Sequence, residues 1–198
     1  AAYVFDVTSG DLLRVLENPT AAPLDYFGYS VAIAGDLIVV GAYRDDTGAT
    51  DAGAAYVFDA TSGSLVATIT NPEPDDFDQV GYAVAISGTT VTVGAHADDA
   101  GVLDGGVAYV FDATNGSLIS TLHNPSPADS DFFGQSVSID GGVVAVGAWA
   151  DSVVFDHSGS VYLFDAMSGQ QLSKLIPSDA SDRDNFGFSL DLHDDVLV

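Results

Sequence analysis

Closely spaced aspartates occur in three acidic segments of this sequence, and their side chains are suited to binding a metal ion. In the first segment, Asp45 and Asp46 are followed by Asp51. Calcium (Ca²⁺) takes about six to eight oxygen ligands, and these carboxylates with nearby carbonyl groups could supply most of them. Calcium is therefore the one cofactor we expect. Its candidate ligands are Asp45, Asp46, Asp51, Asp98, Asp99, Asp104, Asp151 and Asp156.

A purely structural role is the alternative for these aspartates. Their spacing is not that of an EF-hand loop, and Ser152 interrupts the pair in the third segment. Aspartate side chains also stabilise turns by accepting hydrogen bonds from nearby backbone N–H groups. Both interpretations stay open at this stage.

Aromatic residues define a second candidate site. Tyr43, His96 and Trp149 each lie two residues before an aspartate, at equivalent positions of the chain. An aromatic ring beside a carboxylate can hold a sugar by stacking and hydrogen bonding, so we predict a ligand site for glycans here. The alternative is that the three rings only cover the end of a strand.

Catalysis has little support in the sequence, and we expect no enzyme. There is no Gly-x-Ser-x-Gly, His-Glu-x-x-His or phosphate-loop motif. The four histidines do not share one repeat position: His96, His123, His157 and His193.

A strict repeat must position these candidate residues. The segment around Tyr3 recurs at intervals of 53 residues, with tyrosines at 3, 56, 109 and 162. A Phe-Gly or Val-Gly pair, an aspartate three residues before its glycine and a Gly-Ala pair recur at the same interval. The repeated glycines and aspartates are Gly28, Gly81, Gly134 and Gly187, and Asp25, Asp78, Asp131 and Asp184. We expect these four aspartates to be architectural.

Each repeat contains four short segments rich in β-branched and aromatic residues. In the first complete copy they are residues 29–33, 37–43, 54–59 and 65–70, separated by Gly, Asp, Asn and Pro. Four antiparallel strands in a unit of about 50 residues are typical of a β-propeller blade. We therefore predict an all-β propeller with one repeat domain over 1–198. Its parts are a half blade at 1–17, full blades at 25–70, 78–123 and 131–176, and a half blade at 184–198.

Composition limits the partners. The chain has 4 Lys and Arg residues against 29 Asp and Glu residues, a net charge of −25. Such a surface repels nucleic acids and anionic membranes, whereas cations and cationic partners fit it, although solubility alone could also explain the charge. No apolar run is long enough for membrane insertion, and there is no cysteine.

The stretch FGYSVAIAGDLIVVGAYRDD followed by GAAYVFD resembles the FG-GAP repeat of integrin alpha subunits, in its bacterial form. The resemblance covers essentially the whole chain and implies a propeller that serves interaction, adhesion or scaffolding outside the cell or at its surface. Two features depart from the family pattern: the Gly-Ala pair lacks the following proline, and the integrin-type calcium loop is missing. A lectin, or a non-catalytic domain of an enzyme acting on polysaccharides, is the alternative.

The first and last repeats are halves, and their strands are complementary. Residues 2–6 and 12–16 match strands three and four of a blade, whereas 188–192 and 196–198 match strands one and two. Three arrangements follow: a longer propeller of about six to eight blades, a four-bladed ring closed within the chain, or head-to-tail association of copies. In the last case the partner is another copy of the chain.

Overall fold

The computed structural model describes residues 1–152, 155–194 and 196–198, so small parts of the predicted spans 131–176 and 184–198 lie outside it. Over these residues the chain forms strands and no helix, and so has no helix that could cross a membrane. The strands are β1 (Ala2–Phe5), β2 (Leu12–Leu16), β3 (Val31–Ala34), β4 (Leu37–Ala42), β5 (Ala54–Asp59), β6 (Leu65–Thr70), β7 (Ala83–Ser87), β8 (Thr90–Ala95), β9 (Val107–Asp112), β10 (Leu118–His123), β11 (Phe133–Asp140), β12 (Val143–Ala148), β13 (Ser160–Asp165), β14 (Gln171–Leu175), β15 (Leu192–His193) and β16 (Val196–Leu197).

The strands form three four-stranded antiparallel sheets and two two-stranded ones. Each four-stranded sheet follows chain order, as β3-β4-β5-β6, β7-β8-β9-β10 and β11-β12-β13-β14. The strand pairs β1–β2 and β15–β16 stand at the two ends of the series. This arrangement confirms the predicted all-β fold built from tandem propeller-type blades.

The first strand of each sheet lies on the inner side of the series. Strand β7 contacts both β3 and β11, and β11 contacts β15. Ile33, Ile86, Ile139 and Leu192 share one repeat position and line a common cavity between these inner strands. Neighbouring sheets therefore approach each other most closely along this inner edge.

The hydrophobic core lies between successive sheets. Side chains alternate along a strand, so the two faces of β5 contact different neighbours. Val57 belongs to the cluster that contains Val91 of the second sheet. Tyr56 and Phe58 instead pack with Leu16 of β2. Almost every residue of the central strands is consequently buried, which explains their continuous apolar sequence.

The repeated Gly-Ala and Phe-Gly pairs form two sides of one backbone contact between sheets. A Cβ atom on Gly94 would overlap the carbonyl oxygen of Gly134 in the next repeat, and Gly41 and Gly147 have the equivalent neighbours. Ser136, a small residue of the inner strand β11, takes part as well. Ser136 Oγ donates a hydrogen bond of 2.6 Å to the Gly187 carbonyl.

At the ends of the chain, one predicted strand is shorter than expected and one of the three alternative arrangements is not formed. The predicted strand at 188–192 is reduced to Leu192–His193, because the segment opposite it pairs only through Val196–Leu197 and through the backbone bonds between Asp191 and Val198. The four-bladed ring is not formed either. Strand β1 pairs with β2 alone, so its other edge is free of the chain's own β16.

The glycine contact predicts a large penalty for a small substitution. We expect Gly94→Ala to lower the free energy of unfolding by about 3 kcal/mol or more, because the added Cβ must push two backbones apart. Gly10→Ala is the matched control: Gly10 has a φ of 77° but no atom within 4 Å of an added Cβ. Only the conformational cost of about 1–2 kcal/mol applies there. Urea denaturation of both variants measures the difference, and equal losses would contradict the contact.

Candidate functional site

The long-loop face is formed by two kinds of connection. The first joins strand two to strand three of each sheet, over 43–53, 96–106, and 149–152 with 155–159. The second joins one sheet to the next, over 17–30, 71–82, 124–132 and 176–191. All predicted metal and ligand residues lie in the first kind of connection.

The first aspartate of each acidic segment is buried and bonded to a tyrosine of strand three. Tyr56 Oη donates to Asp45 at 2.5 Å, and Thr20 Oγ1 donates to the same carboxylate oxygen at 2.8 Å. Burial acts to raise the pKa of Asp45, but hydrogen bonds from Thr47, Tyr56 and Thr20 outweigh it and lower the pKa. Burial and the neighbouring carboxylate raise the pKa of Tyr56. The equivalent bonds join Tyr109 to Asp98 at 3.0 Å and Tyr162 to Asp151 at 2.8 Å.

The second aspartate of the segment holds the loop in shape. Asp46 Oδ1 accepts a hydrogen bond from the Asp51 N–H at 2.9 Å, and Asp99 accepts one from Asp104 at 2.8 Å. Asp51 and Asp104 have left-handed backbones, with φ of 52° and 49°. The remaining predicted ligand, Asp156, lies 3.9 Å from Arg183.

These contacts neither confirm nor contradict the prediction that the loops bind calcium. In the described residues, no group of three or more His, Asp or Glu side chains is arranged to hold one metal ion. Each predicted ligand of the first segment already takes part in a protein contact. Calcium binding by these loops stays a prediction.

The four architectural aspartates close the connections between sheets. Asp25 accepts hydrogen bonds from the Asn18 side chain at 2.6 Å and from the Ala22 N–H at 2.7 Å. Asp78 and Asp131 repeat this arrangement with Asn71 and Asn124. Sequence reasoning missed the asparagines, although each precedes a proline at one repeat position and so offered a signal.

In the second repeat, the buried Tyr–Asp pair lacks a hydrogen-bond donor that the equivalent pairs of the first and third repeats have. In the third repeat, Lys174 Nζ contacts Asp151 at 2.9 Å and Tyr162 Oη at 2.6 Å. In the first, the Thr20 hydroxyl occupies this place. In the second, the equivalent residues are Thr121 and Glu73, neither of which donates a hydrogen bond to Asp98 or Tyr109.

A cavity of about 310 Å³ with an acidic lining lies beside Asp98, Tyr109 and Thr121. The lining includes Glu73, Asp75, Asp98 and Asp99, with His123. Burial, followed by the charges of Asp98, Asp75 and Asp99, raises the pKa of Asp78 to about 6. Burial likewise raises the pKa of Asp98. Burial and the repulsion between neighbouring carboxylates therefore outweigh the hydrogen bonds that Asp78 and Asp98 accept.

The predicted ligand residues lie in one continuous row of rings, which we call the aromatic arc. Tyr82 joins Tyr43 to His96, with ring centroids 5.4 and 4.0 Å away. Phe132 then joins His96 to Trp149, at 5.9 and 5.4 Å. The whole arc consists of Tyr26, Tyr29, Tyr43, Tyr82, His96, Phe132, Trp149, His157 and Phe188.

The arc combines rings with polar groups and one cation. Tyr29 Oη donates to Tyr82 Oη at 2.9 Å, and this hydrogen bond is the main cause that raises the pKa of Tyr29 to about 12. The Arg44 guanidinium lies 5.4 Å from the ring centre of Tyr26 and 5.6 Å from that of Tyr43. The arc can therefore contact a ligand through ring faces, hydroxyl groups and charge.

His96 is the buried member of the arc. Its exposed fraction is 9%, its Nδ1 has no hydrogen-bond partner, and burial lowers its pKa to about 4. The ring is consequently neutral at physiological pH.

Comparison with known proteins agrees with this geometry. Four-stranded sheets in series, with loops collected on one face, define a β-propeller-type repeat protein. The FG-GAP repeat family matches residues 17–58, 64–111, 118–164 and 170–198, so the chain belongs to that family. This confirms the resemblance read from the sequence.

Two further comparisons add less. The crystal structure of the computationally designed Ika4 protein matches with a TM-score of 0.59 and 19% identity, over 95% of this chain and 90% of that one. At this identity the likeness shows the fold alone. The comparison with curated proteins finds no match.

The donor that the second repeat lacks beside Asp98 and Tyr109 predicts a stabilising substitution. Thr121→Lys places an ammonium group where Lys174 stands in the third repeat, within reach of Asp98 and Tyr109. We expect the free energy of unfolding to rise by about 1 kcal/mol, less at high salt. Thr68→Lys is the matched control, because the Thr20 hydroxyl already fills that place in the first repeat. A thermal or urea melt that gives both variants the same stability would contradict this interpretation.

Burial of His96 predicts a pH-dependent stability. Its folded pKa of about 4 lies below the unfolded value, so the unfolded chain binds more protons between about pH 4 and 6.5. Stability is therefore lost as the pH falls through this range. The variant His96→Tyr carries the residue of the first repeat. Between pH 7 and 4.5, the free energy of unfolding of the natural protein should fall by on the order of 2 kcal/mol more than that of this variant.

Urea melts of both proteins across this pH range test the point. The raised pKa of Asp78 acts in the opposite direction, but it is common to both proteins and cancels in the difference. A difference independent of pH would show that His96 titrates normally.

Proposed function

We propose that this chain is a non-catalytic interaction domain that works outside the cell or at its surface, in adhesion or scaffolding. The aromatic arc is the observation that carries the proposal, because it joins rings from the three complete repeats and from the last half repeat into one surface on the long-loop face. Binding residues are commonly found on loops held by a rigid scaffold. The loops here are held by backbone bonds between repeats, such as that from the Phe77 N–H to the Thr50 carbonyl at 2.8 Å.

A protein is the proposed partner. Three of the nine arc residues are about half exposed, namely Tyr26, Tyr29 and Phe188 at 47%, 50% and 56%. Aromatic rings are frequent at the centres of protein interfaces. The excess of 29 acidic over 4 basic residues disfavours nucleic acids and favours cationic partners. Calcium ions bound by the acidic loops remain part of the proposal.

A glycan is the second candidate ligand, which would make the chain a lectin or an accessory domain of a polysaccharide-acting enzyme. The stack of Phe132 on Trp149 favours it, since the rings are 5.4 Å apart and only 5° from parallel. Such flat aromatic surfaces suit the faces of sugar rings. The hydroxyl groups of Tyr29 and Tyr82 would add hydrogen bonds.

Self-association is the third element of the proposal, and it rests on the exposure of strand β1. Tyr3 is 60% exposed, whereas its equivalents Tyr56, Tyr109 and Tyr162 are at most 4% exposed. Phe5 is 55% exposed, and its equivalents are at most 3%. In the complete sheets these positions face the preceding sheet, as Tyr162 and Phe164 pack with Ala108 of the second sheet. In a head-to-tail contact the third sheet of the neighbouring copy would therefore cover Tyr3 and Phe5, while its β15–β16 would supply strands one and two beside β1. We propose that β15–β16 of one copy pairs with β1 of the next.

Light scattering of the purified chain at increasing concentration tests the self-association. We expect the mass to rise with concentration, and Tyr3→Arg to hold the chain as a monomer, because a buried charge opposes docking. Leu13→Arg is the matched control, an equally apolar, 46% exposed residue of β2 that complete blades leave on their outer strand. A constant monomer mass for the natural sequence, or association that survives Tyr3→Arg, would exclude head-to-tail assembly.

A further inference from the structure

Four of the eight tyrosines lie together on the long-loop face, with neighbouring ring centroids 4.6 to 5.4 Å apart. We call them the tyrosine cluster: Tyr26, Tyr29, Tyr43 and Tyr82. The other four are placed differently. Tyr56, Tyr109 and Tyr162 are buried and bonded to carboxylates, and Tyr3 lies beside Phe5. The cluster is therefore where phenol groups of this chain meet one another.

One pair of the cluster meets through its hydroxyl groups. Tyr29 Oη donates a hydrogen bond to Tyr82 Oη at 2.9 Å, and the two ring centroids are 4.9 Å apart. The ring edges that carry the hydroxyl groups therefore face each other. Tyr43 has its ring centroid 4.6 Å from that of Tyr29, but it forms no hydrogen bond with Tyr29 or Tyr82 in the described part of the chain.

The backbone holds this pair in place. Tyr29 and Tyr82 share one repeat position, just before the inner strands β3 and β7 of neighbouring sheets. The residues next to them are bonded to each other, since Ser30 Oγ donates to the Gly81 carbonyl at 2.8 Å. Each tyrosine also donates its own N–H to a carbonyl three residues earlier in its loop. The two rings therefore need no rearrangement to come together.

The pair is confined to the first two repeats. Gln135 and Phe188 stand at the same position in the following repeats, and neither side chain has a phenol group. Gln135 Nε2 donates to Tyr82 Oη at 3.3 Å and so extends the row without offering a second reactive ring. This sequence also has no cysteine, so no disulfide joins one sheet to the next.

We propose that Tyr29 and Tyr82 are a site of oxidative cross-linking, at which a haem peroxidase uses a peroxide to join the two rings as dityrosine. Each phenol loses one electron and one proton, and the two radicals couple through ring carbons next to their hydroxyl groups. A carbon–carbon bond forms, and the hydrogens of these two carbons move as protons to the phenolic oxygens. The peroxide is reduced to two water molecules, which balances the two hydrogen atoms lost.

Access and proximity favour this pair over links between copies of the chain. Tyr29 is 50% exposed and Tyr26 is 47% exposed, so an oxidant can reach the cluster, whereas Tyr82 is half-buried. A radical formed at Tyr26 can pass through Tyr43 to the pair, because these phenols are neighbours. Coupling within one chain then proceeds at a high effective concentration. The cross-link goes beyond the proposed function, because it requires no ligand of the arc.

Treatment of the purified chain with a haem peroxidase and hydrogen peroxide tests the proposal. The monomer is isolated by size exclusion, and its dityrosine is measured by fluorescence. Trypsin cleaves after Arg44 and Lys174, which places Tyr29 in peptide 15–44 and Tyr82 in peptide 45–174. We expect these two peptides to be joined, with a mass two hydrogen atoms below their sum.

Conservative variants identify the two rings. Tyr29→Phe and Tyr82→Phe keep each ring but remove its phenol, and each should abolish the link in the monomer. Tyr43→Phe is the matched control within the cluster. Tyr3→Phe is the control for exposure, because Tyr3 is 60% exposed and has no tyrosine beside it in the described residues. Both controls should retain the link, and melting curves verify that all variants are folded.

The cross-link should also stabilise the chain, because it closes a loop of one repeat between the first and second sheets. We expect the cross-linked monomer to melt about 5 °C or more above the untreated protein. An unchanged melting temperature would overturn this stabilising effect.

Three results would overturn the site itself. The first is a monomer of the natural sequence without dityrosine after oxidation. The second is a link that survives in Tyr29→Phe or in Tyr82→Phe. The third is a link that stays within peptide 15–44, which would assign the coupling to Tyr43 or Tyr26 in place of Tyr82. None of these measurements involves a ligand, so each outcome leaves the proposed interaction function to its own test.

Discussion

The close backbone contact between neighbouring sheets is the constraint on which the rest of the structure depends. Gly94 at the end of one strand meets the carbonyl of Gly134 in the next repeat, and no other side chain fits between them. The contact fixes the distance and angle from each sheet to its successor. The same contact recurs at Gly41 and Gly147, so successive sheets are related to each other in the same way. The loops at the end of this contact are therefore held in one position relative to each other.

The fold could be predicted from the sequence because each of its signals is local. Alternating and β-branched segments, turn residues and the strict period all lie within one repeat, and they indicate four antiparallel strands. The prediction failed over most of 188–192, where composition favours a strand but the segment opposite it pairs only through Val196–Leu197 and Val198. Strand length depends on hydrogen-bonding partners, and residue type alone does not supply them.

The candidate site was predicted only in part, because its contacts join different repeats. Tyr43, His96 and Trp149 share one position and could be recognised as a set. Tyr82 and Phe132 join them into the arc, yet they stand at two other positions of the repeat and reach across from the following sheet. For the aspartates, the sequence does not show which group each carboxylate contacts. A carboxylate that accepts a hydrogen bond from a tyrosine eleven residues later looks, in sequence, like a metal ligand.

The residues of the glycine contact and those of the long-loop face differ in how much room they have for a side chain. The glycines of the contact have no room for a side chain, whereas Arg44, Ala97 and Ala150 occupy equivalent places without entering it. The side chains of the face can therefore change from repeat to repeat while the sheets keep the same geometry. Thr20, Glu73 and Ser126 show the same freedom beside the buried Tyr–Asp pairs. Three nearly identical sheets thus offer three chemically different surfaces, and specificity in such a protein is decided by the few positions at which its repeats differ.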